Sequence, residues 1–211
     1  MKKETENTGI KKYELADHWQ KAISYEQYRR NMAEDLALNA DKKIQEYINL
    51  NQRRMYRIEK TYNVSDKLMA QIKNLKYKTY WLVLTEHWCG DASQVLPVLE
   101  KVAAASEGKI ELRLVYRDEN PALMDAYLTN GSRLIPKLIQ LDKYFNVTGI
   151  WGPRPTVAQE MVMQLKADPA TAGTYANELQ LWYARDKQQS LENEITKLVF
   201  RAGLFCADCL S

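Results

Sequence analysis

The stretch Thr79 to Ser93, reading TYWLVLTEHWCGDAS, limits the possible folds more than any other part of the chain. An apolar run over Tyr80–Leu84 gives way to a polar turn, and after Asp91 an apolar helical pattern continues to Ala105. A short buried strand that feeds a helix within a few residues is half of a βαβ unit. Cys89 then falls at the helix start, where unpaired N–H groups and the helix dipole favour negative charge. A thiol there loses its proton more easily, and the thiolate is the reactive form.

Upstream, the pattern is helical from about residue 12 to Tyr77, after a polar and frayed start. Ser24 opens a capping box before a helix with Tyr25, Tyr28, Met32 and Leu36 on one face. A second helix follows Asp41 with the apolar stripe Ile44, Tyr47, Ile48, Met55, Ile58 and Tyr62, and ends near Asn63. Ser65 caps a third, shorter one through Leu75. Arg53, Arg57 and Lys60 form a basic stripe on the second helix, read as a solvated face or a binding face. With no turn-rich linker before Tyr80, these helices are expected to pack on the sheet that follows.

Downstream of Tyr77 the period changes. Helix Gln94–Ala105 contains Pro97, which removes a ladder bond and should kink it. Ile110–Tyr116 alternates as a strand, and Asp118–Leu128 reads as a short helix with Pro121 in its first turn. Lys137–Leu141 and Phe145–Trp151 form a hairpin, and Gly152-Pro153-Arg154-Pro155 opens a helix through Lys166. Asp168-Pro169 breaks it, and one long last helix is expected from about Thr174 to Ala202. Strand, helix, strand, helix, hairpin and helix make a parallel pair extended by an antiparallel hairpin, with helices on both faces.

Composition excludes several classes. A 45% hydrophobic fraction argues against disorder, and a net charge of +3 is too small to imply nucleic acid. The excess is local: residues 1–78 carry 17 Lys/Arg against 11 Asp/Glu, and the remainder 13 against 16. No run approaches the ~18 apolar residues of a membrane span, and no signal segment is visible, so the cytoplasm is expected. Structural disulfides are rare there, which makes the three cysteines candidates for chemistry or metal binding.

Trp88-Cys89-Gly90, Pro97 eight residues after the cysteine, and Ile135-Pro136 just before a strand give the chain its resemblance to thioredoxin-fold proteins, over Lys76 to Leu198. With its helical N-terminal extension, the chain resembles a bacterial, uncharacterised subgroup of that family with a monothiol WCGD centre. The resemblance implies an α/β, thioredoxin-like mixed sheet flanked by helices. It also implies that Ile135-Pro136 is the family's cis-proline loop, set against Cys89 with its backbone open to an extended peptide. Trp151-Gly152-Pro153-Arg154 should border the same site, with Arg154 holding a substrate carboxylate or phosphate, or serving only as a structural loop residue.

Two departures narrow the function. Ala92 stands where thioredoxins carry the second cysteine, with Asp91 in place of the intervening proline, and Val83 where they carry a buried acid. Dithiol chemistry through residues 89–92 is thereby excluded. Cys89 is left as a reactive monothiol that forms a mixed disulfide with a protein or glutathione, as an inert remnant, or as a ligand. His87 and the helix start would lower its pKa and Asp91 would raise it. His87 reads as a turn residue ahead of a base, and His18 as structural.

The tail Cys206-Ala-Asp-Cys209 suits a resolving dithiol, half a metal site, or two small residues packing a helix end. A tetrahedral zinc site needs about four ligands, so neither metal nor cofactor is expected within one chain. The reading divides the chain into a helical extension (1–76), a thioredoxin-like domain (77–203) and the tail (204–211). It assigns thiol-disulfide exchange with protein thiols or glutathione, without nucleic acid or membrane. A non-catalytic module that keeps the groove for protein binding is the alternative.

Overall fold

The computed structural model describes residues 10–204. In chain order the elements are α1 (Lys12–Lys21), α2 (Tyr25–Leu38), α3 (Lys42–Thr61), α4 (Asp66–Lys73), β1 (Thr79–Thr85), α5 (Ala92–Ala105), β2 (Ile110–Tyr116) and α6 (Pro121–Ala126). They continue with β3 (Lys137–Leu141), β4 (Val147–Trp151), α7 (Thr156–Ala167), α8 (Tyr175–Asp186) and α9 (Gln189–Leu204). The sheet order is β2-β1-β3-β4; β1 runs parallel to β2, and β3 and β4 add antiparallel. The fold is α/β and thioredoxin-like, with a helical N-terminal region.

The local chemistry accounts for the boundaries. Ser24, Asp41 and Ser65 each accept a backbone N–H in the first turn of α2, α3 and α4, satisfying donors that a helix start leaves free. Between its terminal threonines β1 is an apolar run buried on both faces, as a central strand between helical layers must be. α5 runs through Pro97 without interruption and lies almost entirely inside the core. The helical region caps the sheet: Ile23 bridges Leu114 at the β2 edge, and Trp19 packs on Tyr80 at a centroid distance of 4.7 Å. Gln140, fully buried, accepts from the Trp81 indole and donates to the Leu198 carbonyl, tying α9 to the sheet.

One expectation fails. The long helix anticipated over Thr174–Ala202 is two helices, broken at Lys187 (φ 50°) and Gln188 (φ 65°). Consecutive residues in the left-handed region cannot continue a right-handed helix. Asp186 makes the break stable by accepting the Ser190 amide at 3.0 Å, which caps α9 from its own side chain. α7 and α8 pack on each other around Ala158, Val162, Leu179 and Tyr183, a small cluster separate from the main core. Cys206 and Cys209 lie outside the described residues. Among the described residues no helix is long and apolar enough to cross a membrane.

Candidate functional site

The site forms where β1 ends and α5 begins. Cys89 is 7% exposed, and its Sγ lies 3.4 Å from the Ile135 carbonyl oxygen and 3.4 Å from the Ala92 amide. The thiol donates to the carbonyl and accepts from the first free N–H of the helix. The Ile135–Pro136 peptide is cis, as is Gly152–Pro153. Ile135 is itself buried, and its carbonyl oxygen faces the thiol.

Asp91 occupies the N-cap position of α5 but caps nothing. Its carboxylate turns inward, where Oδ2 accepts from Arg154 Nε at 3.1 Å and Nη2 at 2.5 Å, and Oδ1 accepts from the Tyr183 hydroxyl at 2.8 Å. The side chains of Asp91 and Arg154 are only 9% and 11% exposed. Burial pushes the Asp91 carboxyl up, while Arg154 and Tyr183 pull it back. Burial works against the Arg154 charge too, and Asp91 more than restores it. The net shift is upward, and the three donors converging on the carboxylate favour its ionised form against that burial.

The thiol responds to both neighbours. Burial and then the Asp91 charge push Cys89 up to about 12, outweighing the Ala92 and Asp91 amides and Arg154, which lower it. A helix start alone would have activated the thiol. Here desolvation reverses that effect.

Cys89, Asp91, Ile135, Pro136 and Arg154 are therefore brought together, and three other candidates point elsewhere. His87 Nδ1 pairs with Asp35 of α2 at 2.8 Å and Nε2 meets the hydroxyl of Tyr116, at the end of β2, at 3.0 Å, so both ring nitrogens are engaged away from Cys89. Burial lowers its pKa, with Asp35 opposing, and a neutral ring that donates to Asp35 and accepts from Tyr116 fits both bonds. Trp88 lies under the Arg117 guanidinium at 4.9 Å. Trp151 donates its indole N–H to Glu194 at 2.6 Å, which fixes it to α9.

Residues outside the motif complete the enclosure. Asn51 on α3 is fully buried and donates to the His87 carbonyl at 3.0 Å, while accepting from Arg54 Nη1 at 2.9 Å. A methyl group on Gly90 would meet Gln180 Nε2 at 3.3 Å and Arg54 Nη1 at 3.5 Å, so side chains of α8 and α3 both approach the loop at Gly90. Gln180 also accepts from Gln94 at 2.8 Å. One signal for this lay in the sequence: Asn51 is a polar residue on the apolar stripe, three after Ile48 and four before Met55. Tyr183 had none.

Beside the loop, burial pushes Glu86 up to about 7 from an ordinary 4.5, with the Asp118 amide opposing. Between those values the folded protein keeps a proton that the unfolded chain has released, so stability falls as pH rises from 4.5 toward 7. Glu86→Gln is expected to flatten that limb of a plot of urea midpoint against pH. A slope unchanged from wild type would contradict the assignment.

Among the described residues, no three His, Cys, Asp or Glu side chains are grouped to hold a metal ion. Comparisons with known proteins agree with the fold. A family model described as Thioredoxin (Thioredoxin_9) matches residues 37–167. Thioredoxin 1 of a Nostoc species is 35% identical over 80 residues, which cover 37% of this chain and 72% of that protein. A solved structure of a protein of unknown function from Pseudomonas aeruginosa aligns with a TM-score of 0.60 and 17% identity, over 87% of this chain and 95% of that one. An HIV epitope-scaffold aligns with a TM-score of 0.58 and 16% identity, over 87% and 96%. The family match begins inside α2, so it takes in α3 and α4, which the resemblance over Lys76–Leu198 leaves out.

Proposed function

The chain belongs to the thioredoxin family, and on that premise we propose that it is a thiol-disulfide oxidoreductase with Cys89 as its only active-site nucleophile. The observation that carries the reading is the 3.4 Å approach of Cys89 Sγ to the Ile135 carbonyl beside Pro136. A substrate segment that pairs with this loop would bring its own sulfur to Sγ. Asp91 and Arg154 flank the reaction centre as a fixed ion pair.

The chemistry requires two exchanges. The Cys89 thiolate attacks one sulfur of a protein disulfide or of oxidised glutathione. An Sγ–S bond forms, the original S–S bond breaks, and the departing thiolate takes up the proton that Cys89 released. A second thiol then attacks the mixed disulfide and frees Cys89. With Ala92 in the position of a local partner, that thiol comes from glutathione, another protein, or Cys206 and Cys209 of this chain. A reducing cytoplasm suits such a cycle. The working division is a helical extension over 1–76 on a catalytic unit over 77–203.

Because the thiol is 7% exposed and its pKa is pushed up to about 12, the site must open before Cys89 can attack. The same observation favours a second reading, a protein-binding module that keeps the groove without the chemistry. Turnover separates them. Glutathione-dependent reduction of a mixed-disulfide substrate should fall to background in Cys89→Ser. Equal turnover in wild type and Cys89→Ser would leave the binding module. Unchanged turnover in a Cys206/Cys209 double serine variant would remove the tail from the cycle.

A further inference from the structure

We propose that Arg54 on α3 anchors an anionic group of the disulfide that Cys89 attacks, so that the substrates are disulfides with a carboxylate close to the reacting sulfur. The inference rests on the thiol-disulfide reading above. Of the two readings of Arg154, an anchor for a substrate carboxylate or phosphate and a structural loop residue, the structure favours the second, because Asp91 already occupies its guanidinium with two hydrogen bonds. Arg54 is in the opposite position. Its Nη1 donates to Asn51, a neutral partner, and among the described residues no carboxylate forms an ion pair with it.

The placement makes that open charge useful. Asn51 is itself held by the His87 carbonyl, so the guanidinium is braced from the fully buried side of α3. Its Nη1 reaches to 3.5 Å from the Cβ position that a side chain on Gly90 would take, one residue from the nucleophile. Burial lowers the Arg54 pKa, and the neighbouring Arg57 lowers it further, with Asp91 only partly compensating. A half-buried guanidinium whose charge Asp91 offsets only in part, with no direct ion-pair partner, gains from an arriving anion, and its planar fork suits a carboxylate. Asp91 is near enough to act on the Arg54 charge, but its carboxylate is hydrogen-bonded to Arg154 and Tyr183 and forms no ion pair with Arg54.

In the exchange, Arg54 holds the carboxylate while Sγ attacks the near sulfur. The new Sγ–S bond replaces the S–S bond, and the far sulfur leaves as a thiolate that is protonated by the proton lost from Cys89. Arg54 takes no part in bond making; it positions the substrate.

Two measurements test this. Stopped-flow reaction of Cys89 is compared for dithiobis-nitrobenzoate (a dianion), dithiodipyridine (neutral) and cystamine (a dication), in wild type, Arg54→Gln and Arg53→Gln. Wild type should prefer the dianion, and Arg54→Gln should lose about tenfold of that preference, as expected for one hydrogen bond to a charged group. Arg53→Gln removes the same charge one residue away and should keep the preference. Equal selectivity in Arg54→Gln and wild type overturns the proposal while leaving the thiol chemistry intact. The second measurement is calorimetric binding of oxidised glutathione to Cys89→Ser, which needs no reaction. Adding Arg54→Gln should weaken binding about tenfold. An unchanged Kd, or no binding in either protein, overturns the proposal. Binding that depends on Arg54 in a protein whose Cys89 reacts with no probe would instead uphold the anchor and sink the oxidoreductase reading.

Discussion

Asp91→Asn is expected to destabilise the fold by about 3 kcal/mol and, at the same time, to make Cys89 more reactive. The first effect follows from stranding the Arg154 guanidinium, whose side chain is 11% exposed, without its counter-charge. Breaking a buried pair from one side costs roughly 3–5 kcal/mol, and the low end applies because the amide oxygen can still accept from Arg154 while the amide NH2 donates to the Tyr183 hydroxyl oxygen. The second effect follows from the sign of the lost charge. Asp91 is the second cause, after burial, of the rise in the Cys89 pKa, and the Arg154 charge left behind favours the thiolate. Alkylation by iodoacetamide at a fixed pH near 8 should be faster by about tenfold, equivalent to about one unit of pKa. The urea midpoint reads the stability. A variant that is less stable but no more reactive would show that burial alone controls the thiol.

Gly152→Ala is expected to cost about 3 kcal/mol or more and to remove the site with it. Gly152 has φ +113°, a conformation that L residues rarely adopt. A Cβ there would also overlap the Pro136 carbonyl oxygen, which is backbone and cannot swing aside. Strained conformations of this kind cost about 1–3 kcal/mol before any clash is counted. The displaced group belongs to the residue next to Ile135, so the carbonyl that meets Cys89 Sγ should shift too. Thermal unfolding and the pH profile of Cys89 alkylation should therefore change together. A stable Gly152→Ala with a wild-type thiol profile would contradict this close coupling.

The fold was more legible in the sequence than the site. Tyr80–Leu84 and Ile110–Tyr116 announce themselves because strand burial leaves a direct apolar signature. Ser24, Asp41 and Ser65 mark helix starts because capping is local chemistry. The break at Lys187 and Gln188 carries no such mark. Neither residue is glycine or proline, and the left-handed pair is stabilised by the Asp186–Ser190 contact.

Cys89, Asp91, Ile135, Pro136 and Arg154 could each be picked out, yet the pairing of Asp91 with Arg154 could not. It joins residues 63 apart, and only the fold brings them together. The same holds for Tyr183, 92 residues from Asp91. The basic stripe on α3 drew attention to Arg53, Arg57 and Lys60, whereas Arg54, one position round the helix, lies beside the nucleophile loop. Local patterns also misjudged the thiol. Position at a helix start predicts activation, but burial, followed by the Asp91 charge, decides the outcome.

Peptide mapping by mass spectrometry tests the central claim most directly. Wild type and Cys89→Ser are incubated with oxidised glutathione and digested without reduction. Thiol-disulfide exchange at this site predicts a glutathione adduct on Cys89, or a bond from Cys89 to Cys206 or Cys209, and neither product in Cys89→Ser. A Cys89 that stays unmodified while Cys206 and Cys209 react would contradict the oxidoreductase and leave a thioredoxin-fold binding protein.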